Sequence, residues 1–292
     1  MSAVYIAFDV SLALSVFSFG LQAQKFEDVR FMLRRPQLLL LSLLAMYVVT
    51  PFLALVIAEY FDMPDTAKIA VVAISLSMIP PLLPGKEISA GGHGSYAIGL
   101  VIFVALLAPV GIPFLVNFLG RVTNRPYEVS SIKVGGIVLG FVVAPLVAGV
   151  LFGWRWPRVA APIQKHAPRI AGYITLVACI ILGVAVFPQI WDFLTGPGGG
   201  WVVLAAVVFN LGALGIGHLM GGPERDHSIV LAVSCACRHP ALAFAIANAN
   251  YPDKDVSAAV IIVLIVNGFV YPAYLKWQQP RVAAAVPEQL AT

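Results

Sequence analysis

The sequence has few charged residues, which make up 11 % of its 292 positions, against about 25 % in soluble proteins. Hydrophobic residues make up 60 %, and the mean hydropathy is +0.91. So little polar side-chain surface cannot cover a soluble fold, which excludes a cytosolic enzyme, a disordered protein and a nucleic-acid-binding module. The net charge of +4 is also too small to predict binding to nucleic acid.

Cysteine and catalytic motifs are equally scarce. The three cysteines, Cys179, Cys235 and Cys237, lie in apolar runs, so a disulfide framework is not expected. The sequence contains no His-Glu-x-x-His and no Gly-x-Ser-x-Gly, and no basic segment precedes the first apolar run as in a secretory signal. We therefore expect no enzyme activity, no cofactor and no protein-bound metal.

Long apolar runs, in contrast, are abundant. A helix that spans a bilayer needs about 20 mostly apolar residues, and the sequence offers nine such runs separated by short polar connectors. They lie at about 4–22, 36–60, 66–92, 95–119, 132–153, 167–189, 200–221, 227–249 and 256–278. The fold class predicted is an all-α membrane protein with nine transmembrane helices in a single domain, residues 1–292.

The basic residues in the connectors predict the orientation. If nine helices alternate, one side has eleven basic residues and the other has five. The eleven are Lys25, Arg30, Arg34, Arg35, Arg155, Arg158, Lys165, Arg169, Arg225, Lys276 and Arg281, and the five are Lys68, Arg121, Arg125, Lys133 and Lys254. The richer side is expected in the cytoplasm, which places the N-terminus outside, the C-terminus inside and the chain in the plasma or inner membrane.

Two spans are interrupted by residues that cannot continue a helix. Proline lacks the backbone N–H and clashes with the preceding turn, and such residues fall mid-span in both 66–92 and 227–249. The interrupting residues are Pro80, Pro81, Pro84, Gly85 and Pro240. A pair of interrupted helices, one in each half of the chain, is the sequence pattern typical of a transporter site at the bilayer midplane.

Each interruption also has a cation, Lys86 in the first and Arg238 in the second. A Lys or Arg at the bilayer centre costs about 2.5–3.5 kcal/mol unless it is paired or hydrated. Two interpretations remain open at this point: the cations hold helices together by pairing with carboxylates, or they face a central cavity and attract an anion. Glu87 adjoins Lys86 and so lies on a different helix face; Arg238 is its alternative partner.

At these residues the chain resembles the bile acid:sodium symporter family. The matching segments are Phe19-Gly20-Leu21, Phe26-Glu27-Asp28, Pro36, Ala45-Met46-Tyr47, Pro51, Pro80 to Lys86, Ser234 to His239, and Asn210. The resemblance implies an inverted-repeat transporter in which the two broken helices cross. It also implies a panel subdomain, about 4–22 and 132–189, and a core subdomain, about 36–120 and 200–278.

The sequence departs from the family at the sodium ligands. The resemblance places the sodium-binding side chains at Met46, Lys86, Ser234 and Arg238, where this chain has neither a carboxylate nor an amide. We hypothesise that Lys86 and Arg238 replace the two sodium ions. The expected function is then sodium-independent secondary transport of a small organic anion by alternating access.

The predicted substrate-binding residues are Lys86, Arg238, Ser234, His239, Asn210 and Asn267. If protons drive transport, the candidate carriers are Glu87, His239 and Asp9. The alternatives are a proton-coupled or classical sodium-coupled symporter, and a membrane sensor that binds a ligand without moving it. The expected partners are the organic anion and the lipid bilayer, with no nucleic acid and no obligate protein partner.

Overall fold

The computed structural model describes residues 2–22, 26–78, 91–122, 131–251 and 255–289, and all regular secondary structure within these ranges is helical. The helices are α1 (Ser2–Gln22), α2 (Phe26–Arg34), α3 (Pro36–Leu44), α4 (Thr50–Tyr60), α5 (Asp65–Leu76), α6 (Gly94–Val122), α7 (Ser131–Val138), α8 (Ala144–Arg155), α9 (Pro157–Ala185), α10 (Phe187–Thr195), α11 (Gly199–Met220), α12 (Arg225–Ala236), α13 (Pro240–Asn250) and α14 (Ser257–Gln289). The all-α prediction is confirmed over these residues.

Eight helical segments within the described ranges are long and apolar enough to cross a membrane. They are Ala3–Gln22, Pro36–Tyr60, Gly94–Leu115, Ile132–Arg155, Pro157–Ala185, Gly199–Met220, Arg225–Ala249 and Ser257–Gln278. The chain is therefore a multi-pass membrane protein. The remaining expected span, 66–92, begins as α5, but residues 79–90 lie outside the described ranges, so the number nine stays a prediction.

Helix α9 begins earlier than the sequence pattern indicated. We expected a connector up to residue 166 and a span over 167–189. The helix instead starts at Pro157, continues through Pro162 and Pro168, and ends at Ala185. A proline at the first helical position fits because the missing N–H has no helical partner there. The following stretch then favours helix, because alanine, lysine and arginine all have high helix propensity.

Two π-helical turns, Ala45–Val49 and Leu139–Val143, interrupt spans that the sequence suggested were regular. Each is followed by a proline in the first turn of the next helix, Pro51 in α4 and Pro145 in α8. Because proline cannot donate the next backbone bond, the preceding residue bonds five residues back, as in Thr50 N–H to Ala45 O. The Thr50 hydroxyl donates to the same carbonyl at 2.8 Å.

The connectors meet as alternating helices require. Arg35, before α3, and Glu224, before α12, form an ion pair of 3.0 Å at one end of the bundle. At the opposite end the Tyr5 hydroxyl hydrogen-bonds the Ser257 hydroxyl at 2.9 Å. Each contact joins two segments that nine alternating spans would place on the same side of the membrane.

Helix α1 packs mainly against α8 and α9. Gly20 and Gly149 make the closest approach between α1 and α8, since a Cβ on Gly20 would collide with the Leu146 carbonyl and one on Gly149 with the Phe17 carbonyl. Helices α11, α12 and α14 form a second packed group, and α5 lies against α4 and α13.

Candidate functional site

Of the eight described spans, the one that contains the second interruption has the largest buried fraction. In Arg225–Ala249, 89 % of the most apolar stretch is buried, against 28 % in Ile132–Arg155. Helix α12 ends at Ala236, and α13 begins at Pro240. Between them, the backbone is extended at Cys237 and at His239. The predicted break is therefore present, and Pro240 is the residue that restarts the helix.

Arg238 is buried in this break, with 3 % of its surface exposed. Its Nε donates to the Cys235 carbonyl at 2.8 Å. A cation there stabilises the C-terminus of α12, where the unpaired carbonyls concentrate negative charge. Its Nη1 and Nη2 have no hydrogen-bond partner among the described residues. Most of this buried guanidinium's donor capacity is therefore available to a ligand or to residues outside those ranges.

The described part of the first interrupted helix ends against this break. Helix α5 stops at Leu76, and the Ser77 hydroxyl donates to the His239 carbonyl at 2.7 Å. The predicted break residues Pro80, Pro81, Pro84 and Gly85 lie outside the described residues, as do Lys86 and Glu87. Within the described residues, the contact between the two interrupted helices therefore includes the part of the first that precedes residue 79.

His239 has a capping role in this geometry. Its ring is fully buried, and Nδ1 accepts a hydrogen bond of 3.2 Å from the Ala241 N–H at the start of α13. The other proton-carrier candidate that is described, Asp9, lies half-buried on α1. The cavity described below has neither of them in its walls.

Asn210, which is buried, and Asn267, which is half-buried, form an amide pair beside the break. The Asn267 side-chain amide donates to the Asn210 side-chain oxygen at 2.6 Å and to the Ala236 carbonyl at 3.2 Å. The Asn210 amide donates to the Ala206 carbonyl at 2.8 Å. Asn267 therefore joins α14 to the last carbonyls of α12, and Asn210 orients it.

A cavity of about 960 Å³ opens beside the break. Helices α9 and α10 form one wall, and α14 with residues 233–240 forms the other. Among the described residues that line it, Arg238 alone is charged, and most of the others are apolar. The cavity includes two of the predicted substrate-binding residues, Arg238 and Asn267; Ser234, His239 and Asn210 are buried near the break but do not line it.

Sequence reasoning missed the α9 wall of this cavity. Gly172, Thr175, Cys179 and Gly183 all line it, and they are spaced three or four residues apart. That spacing places them on one helix face. Small and weakly polar residues repeated at this interval in an otherwise apolar span are the signal that could have identified the wall.

Three of the four positions expected to bind sodium are described. Met46 lies in the first π-helical turn, Ser234 in α12 and Arg238 in the break, and each is at most 3 % exposed. The neighbouring Tyr47 donates its hydroxyl to the Val104 carbonyl at 2.7 Å. None of the three side chains has the carboxylate or amide oxygen that a sodium cage uses, although Ser234 retains a hydroxyl.

Sequence comparison now assigns the family. Residues 10–197 match the Sodium Bile acid symporter family. The chain belongs to this family. The match spans the first interrupted region and the α9 wall of the cavity.

Two curated proteins match most of this chain at low sequence identity. The chain is 23 % identical over 272 residues to the protein named "Probable sodium/metabolite cotransporter BASS2, chloroplastic" from Oryza sativa subsp. japonica, which covers 89 % of this chain and 61 % of the relative. It is 22 % identical over 266 residues to "Uncharacterized sodium-dependent transporter YocS" from Bacillus subtilis (strain 168), which covers 87 % of this chain and 78 % of that protein. This chain thus spans about three fifths of the length of the rice relative.

Proposed function

We propose that this protein is a secondary transporter of organic anions that works by alternating access without bound sodium. The observation that supports this proposal best is the Arg238 guanidinium. It is buried at the edge of an apolar cavity and has two nitrogens without a hydrogen-bond partner among the described residues. The family assignment supports transport, and the remainder of the proposal comes from the site.

The cavity favours an anion with an apolar body. A buried, unpaired charge costs several kcal/mol, and a ligand carboxylate or sulfonate that accepts two guanidinium hydrogen bonds would offset this cost. The aliphatic walls formed by α9 and α14 suit a hydrocarbon skeleton. A volume of about 960 Å³ lies at the upper end of the range for pockets that enclose drug-sized ligands.

Arg238 can also replace a cation in the scaffold. A half-helix that ends inside a membrane protein leaves carbonyls with partial negative charge, and bound sodium balances such ends in many transporters. Here the Arg238 Nε and the Asn267 amide donate to the Cys235 and Ala236 carbonyls. These carbonyls therefore have protein donors of their own, which supports a sodium-independent mechanism. We assign the corresponding role at the first interruption to Lys86.

The position of the cavity supports the division into two subdomains. Its α9 wall lies in the proposed panel, residues 4–22 and 132–189, and α10 begins at the end of that panel. Its α12 and α14 walls lie in the proposed core, residues 36–120 and 200–278. Helix α1 packs on α8 and α9, as a panel helix would. In this proposal the panel and core rock against each other. The protein lies in the plasma or inner membrane, with its N-terminus on the non-cytoplasmic side.

Sodium coupling is the second candidate, and the names of the relatives favour it, because both include sodium in their description. Proton coupling through Glu87, His239 or Asp9 is a third. Ser234 is the described side chain best able to keep a sodium ligand, since its hydroxyl occupies a position that the family resemblance assigns to an ion.

The deciding experiment is counterflow in proteoliposomes. Vesicles are preloaded with unlabelled cholate, benzoate or acetate, and entry of the labelled compound is followed in sodium, in potassium and under an imposed pH gradient. We expect counterflow of at least one anion at equal rates in sodium and potassium. A strict sodium requirement would favour the second candidate, and a requirement for the pH gradient would favour the third. Absence of counterflow, together with anion-induced thermal stabilisation, would favour the sensor interpretation.

A further inference from the structure

A second polar group lies outside the cavity walls, at the end of the bundle where the connectors before α3, α6 and α12 meet. We call it the end cluster; it consists of Arg35, His93, Glu224, Asp226 and His227. Transport by the cavity does not use these residues. They come from three segments widely separated in sequence, so their convergence is a property of the fold.

Three members of the end cluster have metal-binding atoms in mutual reach. One ligand atom each from His93, Asp226 and His227 lies within 4.8 Å of the other two. His227 is buried, and His93 and Asp226 are half-buried. Two imidazoles and a carboxylate are a donor set typical of zinc. Ligands about 2.0–2.2 Å from a tetrahedral ion lie about 3.3–3.5 Å apart, so small side-chain rotations would be enough to close the site.

The hydrogen bonds of His227 direct one lone pair toward a cation. Its Nδ1 lies 3.1 Å from Glu224 Oε2, and its Nε2 lies 3.1 Å from Nη1 of Arg35. A guanidinium can only donate, so Nε2 is the acceptor and Nδ1–H donates to the carboxylate. A histidine whose Nδ1–H is held by a carboxylate while Nε2 faces a cation has the arrangement found at metal sites.

The rings are held in place by aromatic contacts. Phe31 stacks on His93 with 4.4 Å between ring centroids, and Tyr96 meets His227 edge-on at 5.2 Å. The Tyr96 N–H donates to His93 Nδ1 at 3.3 Å, a long and weak bond that a metal could replace. One Asp226 oxygen accepts from the His227 N–H at 2.9 Å.

We propose that the end cluster is a binding site for a divalent transition metal of the zinc type. His93, Asp226 and His227 are the ligands, and Glu224 orients His227. The Arg35 guanidinium occupies the place of the ion when no metal is bound. Its side chain is 42 % exposed, so it can turn outward as the metal enters.

The test uses the full-length protein in detergent, treated with a chelator and titrated with Zn²⁺ by calorimetry and with Co²⁺ by visible absorption. We expect one ion per chain and Co²⁺ bands typical of a site with nitrogen ligands. His93→Ala and Asp226→Asn should each weaken binding at least about tenfold, as should Glu224→Gln through its effect on His227. His166→Ala, an exposed histidine on α9, is the matched control and should bind normally.

Arg35→Gln separates this proposal from a simple loss of folding, because it should tighten Zn²⁺ binding by removing the competing cation. Unchanged or weaker binding in Arg35→Gln, or normal binding in His93→Ala, would overturn the assignment. So would the absence of stoichiometric binding to both the unaltered protein and Arg35→Gln. All of these readouts are independent of transport, so failure here leaves the proposed function unaffected, and the reverse also holds.

Discussion

Arg35 and Arg238 are two arginines in contrasting surroundings. Arg35 is half-exposed, pairs with Glu224, bonds His227 and stacks over Phe31 at 4.5 Å. Arg238 is buried, bonds one carbonyl and has two nitrogens with no partner among the described residues. The contacts of Arg35 satisfy its guanidinium without a ligand, and water screens its charge. Arg238 is costly unless something completes its hydrogen bonds. The contrast indicates which arginine a substrate would stabilise.

Replacing Arg238 should have the largest effect. In Arg238→Gln we expect loss of anion counterflow and a weakening of anion binding by about 2–5 kcal/mol, or more than about thirtyfold. The melting temperature should change little, because removal of the desolvation cost of a buried charge offsets the loss of the Arg238 bond to the Cys235 carbonyl.

Arg155→Gln is the matched control for that variant. Arg155 also lies at a helix C-terminus, in the last turn of α8, but it is exposed. It should leave counterflow unchanged. Normal anion binding by Arg238→Gln would show that the guanidinium is only a structural cation, and the contrast with Arg35 would then lose its functional meaning.

The next prediction concerns the access of thiol reagents to the cavity that Arg238 lines. Cys179 and Cys237 line the cavity, whereas Cys235 is fully buried and does not. In variants that retain a single cysteine, a small methanethiosulfonate should modify position 179 or 237 at least about tenfold faster than position 235. A transported anion should slow the reaction at 237. Equal rates at all three positions would show that the cavity is closed to such reagents.

Some of the features described above could be predicted from the sequence, and others could not. Pro240 and Arg238 could be identified in advance, because a proline and a cation inside an apolar run conflict with a continuous lipid-exposed helix. The all-α class and most spans followed from the lengths of the apolar runs. The π-helical turns did not, since the same prolines are compatible with an ordinary helix start.

Tertiary proximity was the main part that the sequence did not reveal. Asn210 and Asn267 were separate candidates, and only the packing of α11 on α14 shows that they form one pair. The α9 wall of the cavity has no charged residue to mark it. The end cluster joins Arg35 to His227 across 192 positions, a distance over which a single sequence contains no pairing signal.

A smaller effect is expected at the amide pair that supports the Arg238 break. Asn267→Ala removes the donor to the Ala236 carbonyl and leaves the Asn210 oxygen without that bond. Side-chain hydrogen bonds inside membrane bundles are worth about 0.6–1.7 kcal/mol, so a modest fall in stability is expected. The coupling is measured by unfolding Asn267→Ala, Asn210→Ala and the double variant. Strictly additive losses would mean that the pair is not a unit.

The smallest effect is expected on the Arg35 side. The Arg35–Glu224 pair is 42 % and 54 % exposed, and exposed pairs contribute about 0.2–1 kcal/mol. A double-variant cycle of Arg35→Gln and Glu224→Gln should give a coupling energy in this range that shrinks in high salt. A coupling above about 2 kcal/mol would show that this end of the bundle is far less hydrated than its exposure indicates.

The bond from Ser77 to the His239 carbonyl determines where substitution is tolerated. The acceptor belongs to the backbone, so this link between the two interrupted helices does not use the side chain at position 239, which is buried and caps α13. The donor is a side-chain hydroxyl, so position 77 tolerates threonine at best. The hydroxyl at position 77 is therefore required for the junction, whereas position 239 is restricted by its burial and by the cap on α13 rather than by the junction itself.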